Sequence, residues 1–244
     1  MILVCAATGT EAAACRRGIA DAGASGFEVL TTGVGPERAA EALTGWLRDR
    51  AAGAAHGPLE RPALVISSGF AGALSSGIEA LAWVTASGVY RLVDGRAVPA
   101  SYPGGLLRIA EGATACHVLS GDEVLGRSVP GLPDPAAVDM ESAGLAEAAA
   151  AAGIPFLVLR LVTDTPGRPM AALGRSLAAV FSAPDVAGRA AQGARAALEA
   201  VRSPAHALAF VRESMGWRDR LREGWREHAR RGVPCVPVGR GASG

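Results

Sequence analysis

Short unbroken apolar runs recur along the chain at Met1 to Ala7, Ala63 to Ser67 and Pro155 to Val162, each followed by small or polar residues and then a helical stretch. Runs of that length predict strands buried on both faces, and their alternation with helices predicts an α/β architecture. Glu37 to Arg50, Ser142 to Ala152 and Ala187 to Val201 are rich in Ala, Leu, Glu and Arg and read as helices covering the sheet. Weaker strands are expected at Phe27 to Thr32, Ala82 to Thr85 and Ala115 to Leu119, with a loop over one edge from Val89 to Gly105. Pro166, Pro169 and Pro184 bracket a helix around Ala171 to Phe181 that would border a site. From Ser203 onward Leu208, Val211, Met215, Leu221 and Trp225 fall near helical spacing, which predicts an amphipathic appendage suited to an interface more than to a deep core. The expected organisation is one α/β domain over 1–202, a basic amphipathic helix over 203–232 and a disordered tail over 233–244.

Composition narrows the class. The 244 residues are 50% hydrophobic, ample for a continuous core, and a formal charge of +1 argues against a dedicated nucleic-acid binder. Lys is absent, so every permanent side-chain cation is Arg; seven Arg and four acidic residues lie between Val211 and Gly232. The four cysteines, Cys5, Cys15, Cys116 and Cys235, form no CxxC pair, and the first residues read as a strand rather than a signal peptide. A reducing, cytoplasmic compartment is the expectation. No apolar run approaches the roughly 20 residues that span a bilayer. His56, His117, His206 and His228 have no metal-ligand spacing, so neither a metal nor a cofactor is expected.

Candidate chemistry gathers where predicted strands end. Thr163-Asp164 closes the run from Phe156, placing a carboxyl at the strand edge where α/β sheets bind ligands, although the same Asp would cap a turn before Pro166. Asp139-Met140-Glu141 opens an Ala-rich helix; a carboxylate there is stabilised by the helix dipole, and it can also accept both hydrogens of a vicinal diol. Ser67-Ser68-Gly69-Phe70-Ala71-Gly72 lets backbone approach a ligand, or simply makes a tight turn. Ser120-Gly121-Asp122 again follows a strand. Gly33-Val34-Gly35 lacks the third Gly of a dinucleotide fingerprint and reads as a turn. Glu11, by itself, reads as an exposed helix residue.

In order along the chain, Glu11, Gly33-Val34-Gly35, Gly69-Phe70-Ala71-Gly72, Ser120-Gly121-Asp122, Asp139-Met140-Glu141 and Thr163-Asp164 resemble the nucleoside phosphorylase and nucleosidase superfamily, over roughly Met1 to Asp164. The resemblance implies an α/β sandwich with a mixed central sheet flanked by helices, and cleavage of the N-glycosidic bond of an adenine-type nucleoside. It implies that Asp164 protonates the departing base, that Glu11 polarises the attacking water, and that Glu141 holds the ribose hydroxyls while Met140 packs on the sugar. Gly69, Phe70, Ala71, Ser120, Gly121, Asp122, Val124 and Leu125 would line the base pocket. In the purine nucleoside phosphorylases an Arg and a Ser stand where Ser67 and Phe70 stand here, which favours water over phosphate; Arg168, Arg38 or Arg160 could still supply an anion ligand. The stretch from Ala86 to Leu107 is also shorter than in methylthioadenosine nucleosidases.

Ser120-Gly121-Asp122, Thr163 to Pro169 and the Pro-initiated basic helix look most like the hopanoid-associated phosphorylase branch, also similar to futalosine hydrolases. That implies an adenine nucleoside bearing a triterpenoid lipid. The basic helix with Trp217 and Trp225 suits peripheral contact with a membrane, or equally a docking or dimer contact. A homodimer is expected.

Overall fold

In a computed structural model the described residues are 1–52, 61–100, 102, 105–121, 129–169, 176, 180 and 186–238. The expected Ala171–Phe181 helix lies almost wholly outside them, as do His56, Asp122, Val124 and Leu125.

The apolar runs form the strands they predict, several of them longer than expected. They are β1 (Ile2–Ala6), β2 (Phe27–Thr31), β3 (Leu64–Ala73), β4 (Trp83–Val93), β5 (Arg96–Pro99), β6 (Leu106–Ile109), β7 (Thr114–Ser120), β8 (Ala136–Asp139), β9 (Phe156–Asp164) and β10 (Cys235–Pro237). The helices are α1 (Gly9–Asp21), α2 (Pro36–Ala52), α3 (Ser142–Ala151), α4 (Val186–Arg202) and α5 (Pro204–Arg230). Parallel pairs β1–β2, β1–β3, β3–β9, β4–β7 and β7–β8 sit beside antiparallel pairs β3–β8, β4–β9 and β4–β5, so the sheet is mixed.

Those pairings close on themselves. β3 bonds β9, β9 bonds β4, β4 bonds β7, β7 bonds β8, and β8 returns to β3. β1 and β2 extend the ring from β3, and β6 and β10 extend it from the first residues of β9. β9 pairs with β3 along its length and with β6 and then β4 on its other edge, and the apolar clusters on its two faces bury its side chains from Phe156 to Thr163. One apolar cluster, with Leu43, Val84, Val118, Leu145 and Val158, lies under α2 and α3. A second, with Ile66, Leu159, Leu161, Leu221 and Trp225, lies under α1 and α5, and a small third one joins Ala97, Leu119 and Val129.

Three sequence expectations change. Val89 to Gly105 is not a loop throughout: β4 runs on to Val93 and turns into β5 through Asp94 and Gly95, both at positive φ (48° and 74°), the conformation a tight two-residue hairpin requires. Within the expected tail, Cys235–Pro237 forms a strand paired with Ile109–Leu107 of β6, while 239–244 lie outside the described residues. The helix after Ser203 is no loose appendage. Its Trp217, Leu221 and Trp225 form a buried stripe at four-residue spacing, and Gly18 of α1 admits it so closely that any side chain there would meet the Arg222 carbonyl. Among the described residues no helix is long and apolar enough to cross a membrane.

Candidate active site

β3 changes character at its carboxyl end. Ser67 and Ser68 are fully buried, Gly69 adopts φ +139°, and the pairing with β9 shifts between Ala71 and Gly72. Gly69 is required here on two counts. Its φ is one that side chains resist, and a Cβ would sit 2.3 Å from Glu11 Oε1 and 2.9 Å from Arg160 Nη1. Three residues on, a Cβ at Gly72 would start 2.7 Å from Asp164 Oδ2. The two glycines thus make room for two carboxyls along one strand.

Glu11 is 5% exposed, not the solvated helix residue its position alone suggests. It is the third residue of a capping box: Thr8 Oγ1 accepts from the Glu11 N–H at 3.2 Å, while Glu11 Oε2 accepts from the Thr8 N–H at 2.9 Å and the Thr8 hydroxyl at 2.7 Å. The other oxygen, Oε1, accepts the Phe70 N–H at 2.9 Å. A carboxylate pinned at both ends still has a lone pair on Oε1 for a further donor.

Arg160 projects from the middle of β9, 1% exposed, and organises the rest. Nη2 donates to Ser67 Oγ at 2.7 Å and to Glu141 Oε2 at 3.0 Å, and Nη1 lies 3.4 Å from the Phe70 carbonyl. Nε stands 3.1 Å from Asp139 Oδ2, an ion pair by distance although Nε is not aligned as a hydrogen bond. Asp139 is held by Ser120 Oγ, by the Ser142 hydroxyl and by the N–H groups of Glu141 and Ser142, which fixes the entry into α3. The Gly35 N–H, from the turn made by Gly33 and Gly35 at positive φ, reaches Glu141 Oε1 at 3.4 Å.

One guanidinium therefore faces three buried carboxyls, Glu11, Asp139 and Glu141. Burial would depress the guanidinium's proton affinity, but Asp139, Glu141 and Glu11 outweigh it and hold the charge in place. Burial pushes the Glu141 carboxyl up to about 7, Arg160 pulling against it and Asp139 and Glu11 reinforcing it. Asp164 is also raised, by burial, with the Thr163 hydroxyl at 3.0 Å opposing. An acid held toward its protonated form at the end of a strand can give a proton; a surplus of buried negative charge nearby can stabilise a cation.

The structure thus brings Glu11, Gly69, Glu141 and the Phe70 N–H around Arg160 and sets Asp164 against Gly72 further along β3; the Phe70 ring, expected at the base pocket, packs instead on Trp217. The fold does not bring Ser120 to a pocket wall: that side chain is fully buried, its hydroxyl bonded to Asp139 and the Ala143 N–H. Gly121 is buried against Leu92. Arg168 is surface-exposed and ion-paired with Glu213 of α5. The organising role of Arg160 was visible only as a charge interrupting an apolar run. Among the described residues no cluster of three His, Cys, Asp or Glu side chains could hold a metal ion.

Residues 130–201 match the family model described as the Phosphorylase superfamily, a stretch that includes Glu141 and Asp164 but not Glu11. No curated protein matches the chain. Among solved structures, a 5′-methylthioadenosine nucleosidase from Arabidopsis thaliana aligns over 82% of this chain and 94% of its own, with a TM-score of 0.50 and 15% identity. The two share a fold. A 5′-methylthioadenosine/S-adenosylhomocysteine nucleosidase from Helicobacter pylori (15% identity, 68% of this chain and 87% of that one, TM-score 0.47) and a futalosine hydrolase mutant from the same organism (15%, 66% and 88%, 0.46) are also similar.

Proposed function

We propose that this chain is an N-ribosyl hydrolase that releases adenine from a 5′-substituted adenosine. The observation that carries the reading is the excess of buried carboxyls around Arg160, together with Asp164 at the end of the same strand, whose burial favours its acid form. As the glycosidic bond breaks, electrons move onto the base and positive charge develops on the sugar. Asp164 donates its proton to the purine, so that adenine departs neutral. Glu141, its Oε2 oriented by Arg160, accepts the ribose hydroxyls and places charge under the oxocarbenium-like sugar, with half-buried Met140 against it. The developing cation itself draws Glu141 toward its ionised form. Glu11, pinned by Thr8 and Phe70, takes a proton from the water that attacks the sugar carbon.

Water is favoured over phosphate because Arg160 and the donors around it are committed and Arg168 lies at the surface. Arg160 is spent on carboxylates, Arg168 on Glu213, the Phe70 N–H on Glu11, and Ser67 on Arg160 and Ser142. We read the protein as a cytoplasmic homodimer acting without metal or cofactor. The named nucleosidases make a methylthio or homocysteinyl 5′ group the first to test; the turn motifs and basic helix keep a lipid-bearing adenosine, met at a membrane, as the second.

The test is chromatography of products from 5′-methylthioadenosine, S-adenosylhomocysteine and their 2′-deoxy analogues, with and without phosphate. Adenine and a free sugar should form in both buffers, and the 2′-deoxy analogues should be poor substrates because Glu141 loses a donor. No adenine from any adenosine would sink the reading; strict phosphate dependence with a sugar 1-phosphate product would replace hydrolysis by phosphorolysis.

A further inference from the structure

The backbone of Phe70 is gripped from several sides. Its N–H is held by Glu11 Oε1 at 2.9 Å, and the carbonyl of Phe70 faces Arg160 Nη1 at 3.4 Å. The Phe70 ring points the other way, edge-on to Trp217 of α5 with centroids 6.2 Å apart, and Trp217 is backed in turn by Phe210 at 5.9 Å. Two turns further along α5, the Trp225 indole N–H donates to Ser68 Oγ at 2.8 Å. Ser68 and Phe70 are two apart on a strand and share a face of it, the face α5 covers. One helix therefore grips β3 at two points flanking Gly69, a residue with no side chain to anchor itself.

We infer that α5 is a positioning element for Glu11: Trp217, acting through the ring of Phe70, holds the backbone N–H that fixes the Glu11 carboxylate. The catalytic consequence rests on the function proposed above, whereas the positioning does not. Edge-on aromatic pairs stabilise their arrangement beyond simple burial, so losing the indole frees the Phe70 peptide to rotate away from Glu11. A strut that only stabilised the fold would leave this amide no more affected than its neighbours.

The experiment uses the full chain and its Trp217→Leu, Trp217→Phe and Phe70→Leu variants. Amide hydrogen exchange at residue 70 is followed by NMR beside the amides of Val4 and Val158. Trp217→Leu and Phe70→Leu should each speed exchange at residue 70 by about tenfold or more while Val4 and Val158 keep their protection, since only a local opening is made cheaper. Trp217→Phe should restore most of the protection. With methylthioadenosine as substrate, kcat should fall about tenfold with KM nearly unchanged, and the double Leu variant should lose no more than either single one, as expected for residues acting as a unit. Unchanged exchange at residue 70, or equal acceleration at all three amides, overturns the inference. Should Trp217→Leu fail to fold, Phe70→Leu, at a half-buried position, gives the same answer. A parent chain that releases no adenine counts against the proposed function alone, because the exchange result is read without turnover.

Discussion

A buried carboxyl whose proton is held by desolvation works as an acid only while it keeps that proton. Asp164→Asn preserves its shape and its neighbours Thr163 and Gly72 but offers no transferable proton. Adenine release should fall by more than about 10²-fold while binding of the nucleoside, followed by calorimetry, persists. In the parent, turnover should decline as pH rises through the elevated pKa of Asp164. Rates within a few-fold of the parent would remove Asp164 from the chemistry. Glu141 makes a separate statement about stability. Its carboxyl is raised from 4.5 to about 7, so between those values the folded chain binds a proton that the unfolded chain has released. The contribution is present below 4.5 and is lost as pH rises to about 7. Glu141→Gln should flatten the fall of melting temperature across that window; an unchanged slope would place the proton elsewhere. The places of Asp164 at the end of β9 and of Glu141 at the start of α3 were legible in the sequence because each ends a recognisable pattern. The burial of Glu11 was not, although Thr8-Gly9-Thr10-Glu11 spells a capping box, since nothing local says that Gly69 will stand over it. Arg160 carries a similar lesson: one charge inside a run as apolar as Phe156 to Val162 has to find opposite charge within the fold.

At the scale of elements, α5 shows what periodicity can and cannot deliver. The spacing of Leu208, Val211, Met215, Leu221 and Trp225 announced a helix, and the helix spans Pro204–Arg230, but only Leu221 and Trp225 of the five are buried, while Leu208, Val211 and Met215 stay exposed. Its surplus of Arg suggested an exposed role, but Trp217, Leu221, Trp225 and Ala229 are buried on α1, β3 and β4, and the charges lie on the remaining sides. Periodicity announces a helix, but neither what covers it nor how far the cover reaches. The signals that name the partner were the small residues: Gly18 lies under Trp225, and Gly224 under the Trp83 indole. Trp225→Ala should therefore cost about 3–5 kcal/mol, measured by denaturant titration. A chain ended after Ser203 should lose activity on every substrate together, as aggregated or unfolded protein. A soluble truncated chain with parent activity on small nucleosides would show that α5 covers nothing the core needs. The β4–β5 hairpin was missed for a different reason: Asp94-Gly95 is a strong turn signal, but the Gly and Pro residues around it masked two strands.

For the whole molecule, the alternation of runs and helices was enough to give an α/β sheet with helices over it. The closed ring was not legible, because it depends on β9 meeting β3 and β4 across long sequence separations, and no local pattern records that. The same wiring bears on biosynthesis. Domains generally fold as units while a chain emerges from the ribosome, their early segments first. Here β3, made early, waits for Trp217 and Trp225, and β6 waits for Cys235–Pro237 to arrive as its neighbour. Until then the nascent chain carries an uncovered apolar sheet face and a bare strand edge, the two features most prone to wrong association. The face of β3 under α5 and the outer edge of β6 are therefore the surfaces of the emerging chain that most need shelter.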